Sequence, residues 1–173
     1  MVPSAQRPRG GADSLLQTEL DGFQQVPPVI TTGMGKFNAR INPDGTITYT
    51  LQYSRLMGTG AVIFADIDFG QRCNNGGIIL FLFSNQSVAA GVNVPPGTQM
   101  GPSGEGTGAI VKGTIGAQSI AGPAVQGIAP GDLAAALEAL RIGPVYAQVH
   151  TALFTAGEIR GQIDEEDKRP GKR

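Results

Sequence analysis

The segment Phe64-Ala65-Asp66-Ile67-Asp68-Phe69-Gly70 sets two carboxylates two residues apart inside an apolar run. In a β-strand, residues i and i+2 point to the same face, with Cβ atoms roughly 6–7 Å apart. Asp66 and Asp68 therefore share one face, and Ala65 and Ile67 share the other. Carboxylates are depleted in strand interiors. Two on one face repel each other, and burial disfavours the charged form of any acid. Such a pair needs a cation, a proton or full hydration. His150 is the only histidine of the chain. In Val145-Tyr146-Ala147-Gln148-Val149-His150-Thr151 it shares a face with Tyr146 and Gln148, opposite Val145, Ala147 and Val149.

Three functions are compatible with these residue types. The first is cofactor-independent acid–base catalysis in which Asp66, Asp68 and His150 are the catalytic groups. Two close carboxylates in an apolar cavity titrate apart, so one keeps a proton to donate while its partner or the histidine accepts. Phe64, Phe69, Tyr146, Gln148 and Arg160 are the expected substrate contacts, with the segment 84–107 as a cover. This chemistry suits a cyclase, isomerase or lyase acting on a small apolar molecule, with natural-product biosynthesis as a setting. The second reading makes Asp66, Asp68 and His150 ligands of a divalent metal such as Zn, Mn or Fe. The third is a non-catalytic binding module, since a β-sandwich implies no activity by itself. The simplest alternative for the Asp pair is a solvated strand face, and for His150 a structural hydrogen bond. Glu158 and Arg160 also share a face and are expected to form a structural ion pair, with Arg160 orienting an Asp as the alternative. Cys73, in a turn with Arg72 and two asparagines, reads as an incidental thiol. The stretch Gly104-Glu105-Gly106-Thr107-Gly108 lacks the helix and lysine of a phosphate-binding loop.

The elements that must position these groups are mostly strands. Phe37, Ala39 and Ile41 alternate with polar residues, Asn42-Pro43-Asp44-Gly45 turns the chain, and Ile47, Tyr49, Leu51 and Tyr53 alternate again, which predicts a hairpin with one buried face. Strands are also expected at 62–69, 78–83, 109–115, 146–153 and 158–163, with an irregular loop over 84–107. One helix is expected, capped by Asp132, carrying an apolar stripe of Leu133, Ala136, Leu137 and Leu140, and ended by Gly143-Pro144. Residues 1–19 read as a flexible arm, 20–163 as a single β domain, and 164–173 as a charged disordered tail.

At 173 residues the chain can bury a core without staples. Thirteen basic and fourteen acidic residues leave no basic field for nucleic acid or anionic lipid. The expected partner is a small apolar molecule, with neither nucleic acid nor membrane, and homo-oligomerisation stays open. A single cysteine excludes an intrachain disulfide. The N-terminal residues carry no apolar signal core, so a cytoplasmic location is expected; a secreted chain with its signal removed would look the same.

Several ordered pieces resemble the CHRD domain, named after chordin, over about residues 20–163. Val26-Pro27-Pro28-Val29 is similar to its opening, and Phe69-Gly70-Gln71-Arg72 with Asn75-Gly76-Gly77 to its centre. Gly122-Pro123-Ala124-Val125-Gln126-Gly127-Ile128, Tyr146-Ala147-Gln148-Val149-His150-Thr151 and Gly157-Glu158-Ile159-Arg160-Gly161-Gln162-Ile163 are similar to its later half. The resemblance implies an all-β fold, a Greek-key β-sandwich or barrel like that of copper-zinc superoxide dismutase, with one short crossover helix. It also implies that His150 matches one member of a metal-binding histidine trio, the other two being replaced here by Asp66 and Asp68. A cysteine pair common in the family would fall at Phe83 and Gly101. Loss of both thiols fits a reducing compartment, and loss of two imidazoles removes preferred copper donors. The expectation is a familiar scaffold carrying a different site.

Overall fold

The structure, a computed structural model, describes residues 15–57, 62–85, 94–102, 108–142 and 144–165. Among the described residues, nine strands and one α-helix follow in chain order: β1 (Leu15–Asp21), β2 (Met34–Ile41), β3 (Ile47–Ser54), β4 (Val62–Phe69), β5 (Gly77–Ser84), β6 (Ala109–Ile115), α1 (Leu133–Ile142), β7 (Val145–Thr151), β8 (Ile159–Gln162) and β9 (Asp164–Glu165). Hydrogen bonding links them in the order β5-β4-β7-β8-β1-β2-β3-β6, with the short β9 on β1. Among the described residues all strand pairings are antiparallel, and the sheet curls into a nearly closed barrel, as the all-β reading expects.

The period-two pattern sets which residues fill the barrel. Phe37, Ile41, Ile47, Leu51, Ala65, Ile67, Ala147, Val149 and Ile159 are buried in one continuous core. Gly45, at φ 83°, closes the β2–β3 hairpin in a conformation that suits glycine. Gln99 bridges the edge strands β5 and β6, with its Nε2 donating to Leu82 O at 3.2 Å and Lys112 O at 3.3 Å. The Tyr49 hydroxyl donates to Leu82 O across the same seam. The α1 stripe packs inward as expected, and Asp132 caps the helix by accepting from the Ala135 N–H at 3.0 Å.

The boundary of the N-terminal arm needs correction. Residues 15–19 belong to β1, which pairs with β2 along its whole length, from Leu15 opposite Arg40 to Asp21 opposite Met34. Leu16 and Leu20 are buried, each worth about 1.5–3 kcal/mol of apolar burial. The half-buried Thr18 occupies the inward position between them, which hides the alternation. At the other end, Asp164 and Glu165 pair with Gln17 and Leu16 rather than starting a tail. Residues 1–14 and 166–173, and the stretches 86–93 and 103–107 of the expected loop, lie outside the described residues. The described stretch 94–102 is a turn segment with no strand or helix. It returns to β5, with the Ser84 N–H donating to Gln99 O.

Candidate functional site

Strands β4, β7 and β8 form a grid on the face opposite the core. Cross-strand register pairs Phe64 with His150, Asp66 with Gln148 and on to Arg160, and Asp68 with Tyr146 and on to Gln162. Strand parity thus brings Asp66, Asp68, His150, Phe64, Tyr146, Gln148 and Arg160 together. Phe69 does not join them. Its odd position turns it to the core beside Val145, so the expected substrate contact is corrected.

This outward face is buried. Asp66 is 0% exposed, Asp68 2%, His150 5% and Arg160 1%. A solvated strand face is therefore ruled out. Phe64 stacks on His150 with ring centroids 4.0 Å apart and meets Phe81 edge-on at 5.6 Å. Phe64, Phe81 and Ile63 form a small second core on this side of the sheet. The carboxylates sit under apolar cover, where a missing hydrogen bond is costly.

The bonding of His150 fixes its tautomer. Nδ1 lies 2.9 Å from Thr155 O. A carbonyl only accepts, so Nδ1 carries a proton. Nε2 then faces Asp66 Oδ1 at 3.3 Å. That contact is favourable only with a proton between the two atoms, as imidazolium with carboxylate or imidazole with carboxylic acid. Both Asp66 oxygens and His150 Nε2 are buried with no hydrogen-bond partner among the described residues. Buried polar atoms are ordinarily satisfied, so three orphans in one contact mark a site.

Asp68 is in a different state. Burial holds its carboxyl well above the usual carboxylate range, and the neighbouring Asp66 adds to this. Arg160 and a hydrogen bond from the Tyr146 hydroxyl act the other way without prevailing. Gln148 Nε2 stands 3.5 Å from Asp68 Oδ2, at the limit of a hydrogen bond. The Tyr146 hydroxyl accepts from the Gly76 N–H at 3.0 Å, and burial pushes its own pKa up to about 12.

Arg160 and Glu158 do not form the expected ion pair. Arg160 Nη1 donates to Asn75 Oδ1 at 3.2 Å, and Nη2 to Gln71 O at 3.0 Å and Asn74 O at 2.9 Å. Its Cζ lies 3.4 Å from the centre of the Tyr146 ring. The guanidinium thus fastens the 71–75 turn onto the sheet and caps the tyrosine. Glu158 Oε1 instead accepts from Thr31 Oγ1 at 2.6 Å and the Met57 N–H at 2.5 Å, and Oε2 accepts from Thr151 Oγ1 at 2.9 Å. The two side chains share strand parity, but Glu158 lies beyond the end of β8, where the loops reach it first.

Gln25 belongs to the site and escaped the sequence reading. An ideal Cβ on Gly157 would lie 2.4 Å from Gln25 Nε2 and 2.8 Å from Gln148 Oε1, so both amides close over this glycine, whose φ is 113°. Gln25 is 4% exposed and its Nε2 has no partner among the described residues. A glutamine before Val26-Pro27-Pro28 carries no sequence signal for that placement. Cys73 is exposed at φ 65° in the turn that Arg160 holds.

The donor set falls short of a metal centre. Among the described residues no group of three or more His, Cys, Asp and Glu is arranged to hold a metal ion. His150 Nε2 and Asp66 Oδ1 could share a cation, but Asp68 is turned to Tyr146 and Gln148. Two donors are fewer than the three protein ligands of a catalytic zinc. The Phe83 and Gly101 positions do meet: a Cβ on Gly101 would fall 2.1 Å from Phe83 Cδ2. The ring occupies the space that a second side chain would need.

A family model for the CHRD domain matches residues 16–163. Searches among curated proteins and among solved structures each find no match.

Proposed function

Given that the chain belongs to the CHRD domain family, we propose that this member uses its outer barrel face for cofactor-independent acid–base chemistry on a small apolar molecule. The observation that carries the reading is the division of labour between two neighbouring carboxyls. Burial and the neighbouring Asp66 push the Asp68 carboxyl toward its neutral form. Asp66, with no hydrogen-bond partner, faces a histidine whose other nitrogen is locked on Thr155 O. Asp68 donates a proton to an oxygen on which negative charge develops, and Asp66 Oδ2, outside the proton shared between Oδ1 and His150, accepts one from carbon or oxygen elsewhere on the substrate. Tyr146 holds Asp68 in place, and Gln148 and Gln25 supply amide contacts. Such chemistry covers isomerisation, cyclisation and dehydration, none of which changes oxidation state overall.

Two measurements test it. The side-chain carboxyl 13C signal of Asp68 is expected to titrate well above the ordinary carboxylate range, and at lower pH in D66N. An ordinary carboxylate titration at Asp68 overturns the reading. Incubation with an extract of small apolar metabolites is expected to convert a compound to an isomer or a dehydrated product, followed by mass spectrometry, with D68N and D66N inactive. Equal conversion by the parent and both variants overturns it as well.

A further inference from the structure

A slot of about 330 Å³ lies beside the site, with Phe23, Val26 and Pro28 as its apolar wall and Arg160 and Gln162 at the sheet. Arg72 and Cys73 stand on the turn side. No carboxylate lines it among the described residues. Arg160 is the decisive group. A guanidinium has five N–H donors, and three of its hydrogen bonds are accounted for, all to neutral oxygens of Gln71, Asn74 and Asn75. Two N–H groups are left over. Arg160 is 1% exposed, and among the described residues no carboxylate lies within ion-pairing distance of it. Buried charges are ordinarily paired, because leaving one uncompensated costs several kcal/mol. The turn carbonyls orient this cation without neutralising it.

We infer that the slot binds an apolar carboxylic acid or enolate, with its hydrocarbon body against Phe23, Val26 and Pro28 and its anionic oxygen toward Arg160. The ligand supplies a negative charge on the slot side of Arg160, where no described residue of the lining carries one. The inference rests on the acid–base reading, because it makes this anion the substrate. Arg160 stacks on Tyr146, and Tyr146 donates to Asp68. Arg160 and Tyr146 thus stand between an anion in the slot and Asp68. Charge selection and proton transfer are then separate: Arg160 reads the anion, and the carboxyls act on the rest of the molecule.

The test uses the full chain and two probes of one shape, 2-naphthoate and the neutral 2-naphthamide, with calorimetry and methyl NMR. The acid is expected to bind one per chain, to shift the Val26 methyl signals, and to bind at least tenfold more tightly than the amide. R160Q is expected to lose that preference. Since Arg160 also anchors the 71–75 turn, R160K and V26W accompany it: the lysine keeps the preference for the acid, and the tryptophan fills the slot and abolishes binding of both probes. Equal affinity for acid and amide, or naphthoate binding untouched by V26W, overturns the inference. The Asp68 carboxyl signal read on the same samples separates the two ideas. Selective naphthoate binding with an ordinary carboxylate titration at Asp68 leaves the slot standing and removes the acid–base reading; a raised Asp68 titration with no selectivity does the reverse.

Discussion

Glu158 and Asp66 are both fully buried carboxylates, each 0% exposed, and they are bonded in opposite ways. Glu158 accepts from Thr31, Met57 and Thr151, tying the loop ahead of β2, the chain after β3 and the end of β7 to one point. Asp66 has no hydrogen-bond partner among the described residues and a single histidine nitrogen at 3.3 Å. A fully bonded buried carboxylate stabilises the fold, because removing it strands its donors. An unbonded one is an electrostatic cost that the fold carries, and such costs concentrate where chemistry is done. The same burial thus serves architecture at one end of the sheet and, on the proposed function, reactivity nearer its middle.

The largest effect that would break this comparison is at Glu158. E158A should lose about 3–5 kcal/mol in urea denaturation, since three donors are left unsatisfied in a dry site. D66N should lose nothing measurable, or gain. Equal losses in the two variants would show that Asp66 is architectural too. Next in size is the glycine against which both Gln25 and Gln148 pack. G157A should cost about 1–3 kcal/mol, from its φ of 113° and a Cβ set 2.4 Å from Gln25 Nε2. A neutral result would mean that the two amides move apart freely.

The most diagnostic effect is one of pH. A carboxyl whose pKa is raised on folding contributes most below its unfolded pKa of 3.8, and that contribution falls as pH rises toward the folded value. The parent should therefore lose stability from about pH 4 upward relative to D68N, with the gap widening toward neutrality and then levelling off. Thermal melts across pH 4–8 measure this. A gap that narrows with rising pH would mean that Asp68 is stabilised as its anion.

Much of the site was legible before the fold was known. Parity alone put Asp66 and Asp68 on one face of β4 and grouped His150 with Tyr146 and Gln148 on β7. The same rule should have excluded Phe69, which sits an odd number of positions from both aspartates. Gln25 could not be found this way, because it reaches the grid from a loop far off in sequence. The hairpin and the capped helix were legible because their signals lie within a few residues: a glycine at positive φ, an Asp at the N-cap. β1 was not, because only two of its inward positions hold apolar residues and its partners are supplied by β2 and β9.

The sequence by itself determined which residues share a face, since alternation is a local property of an extended backbone. Only the tertiary structure decided that this outer face is buried, that Arg160 turns to the oxygens of the 71–75 turn instead of to Glu158, and that Asp66 is left without a donor among the described residues. Burial and partnership depend on what distant segments bring to the sheet. The protonation state of a carboxyl follows from that environment, and the order of residues along one strand does not contain it.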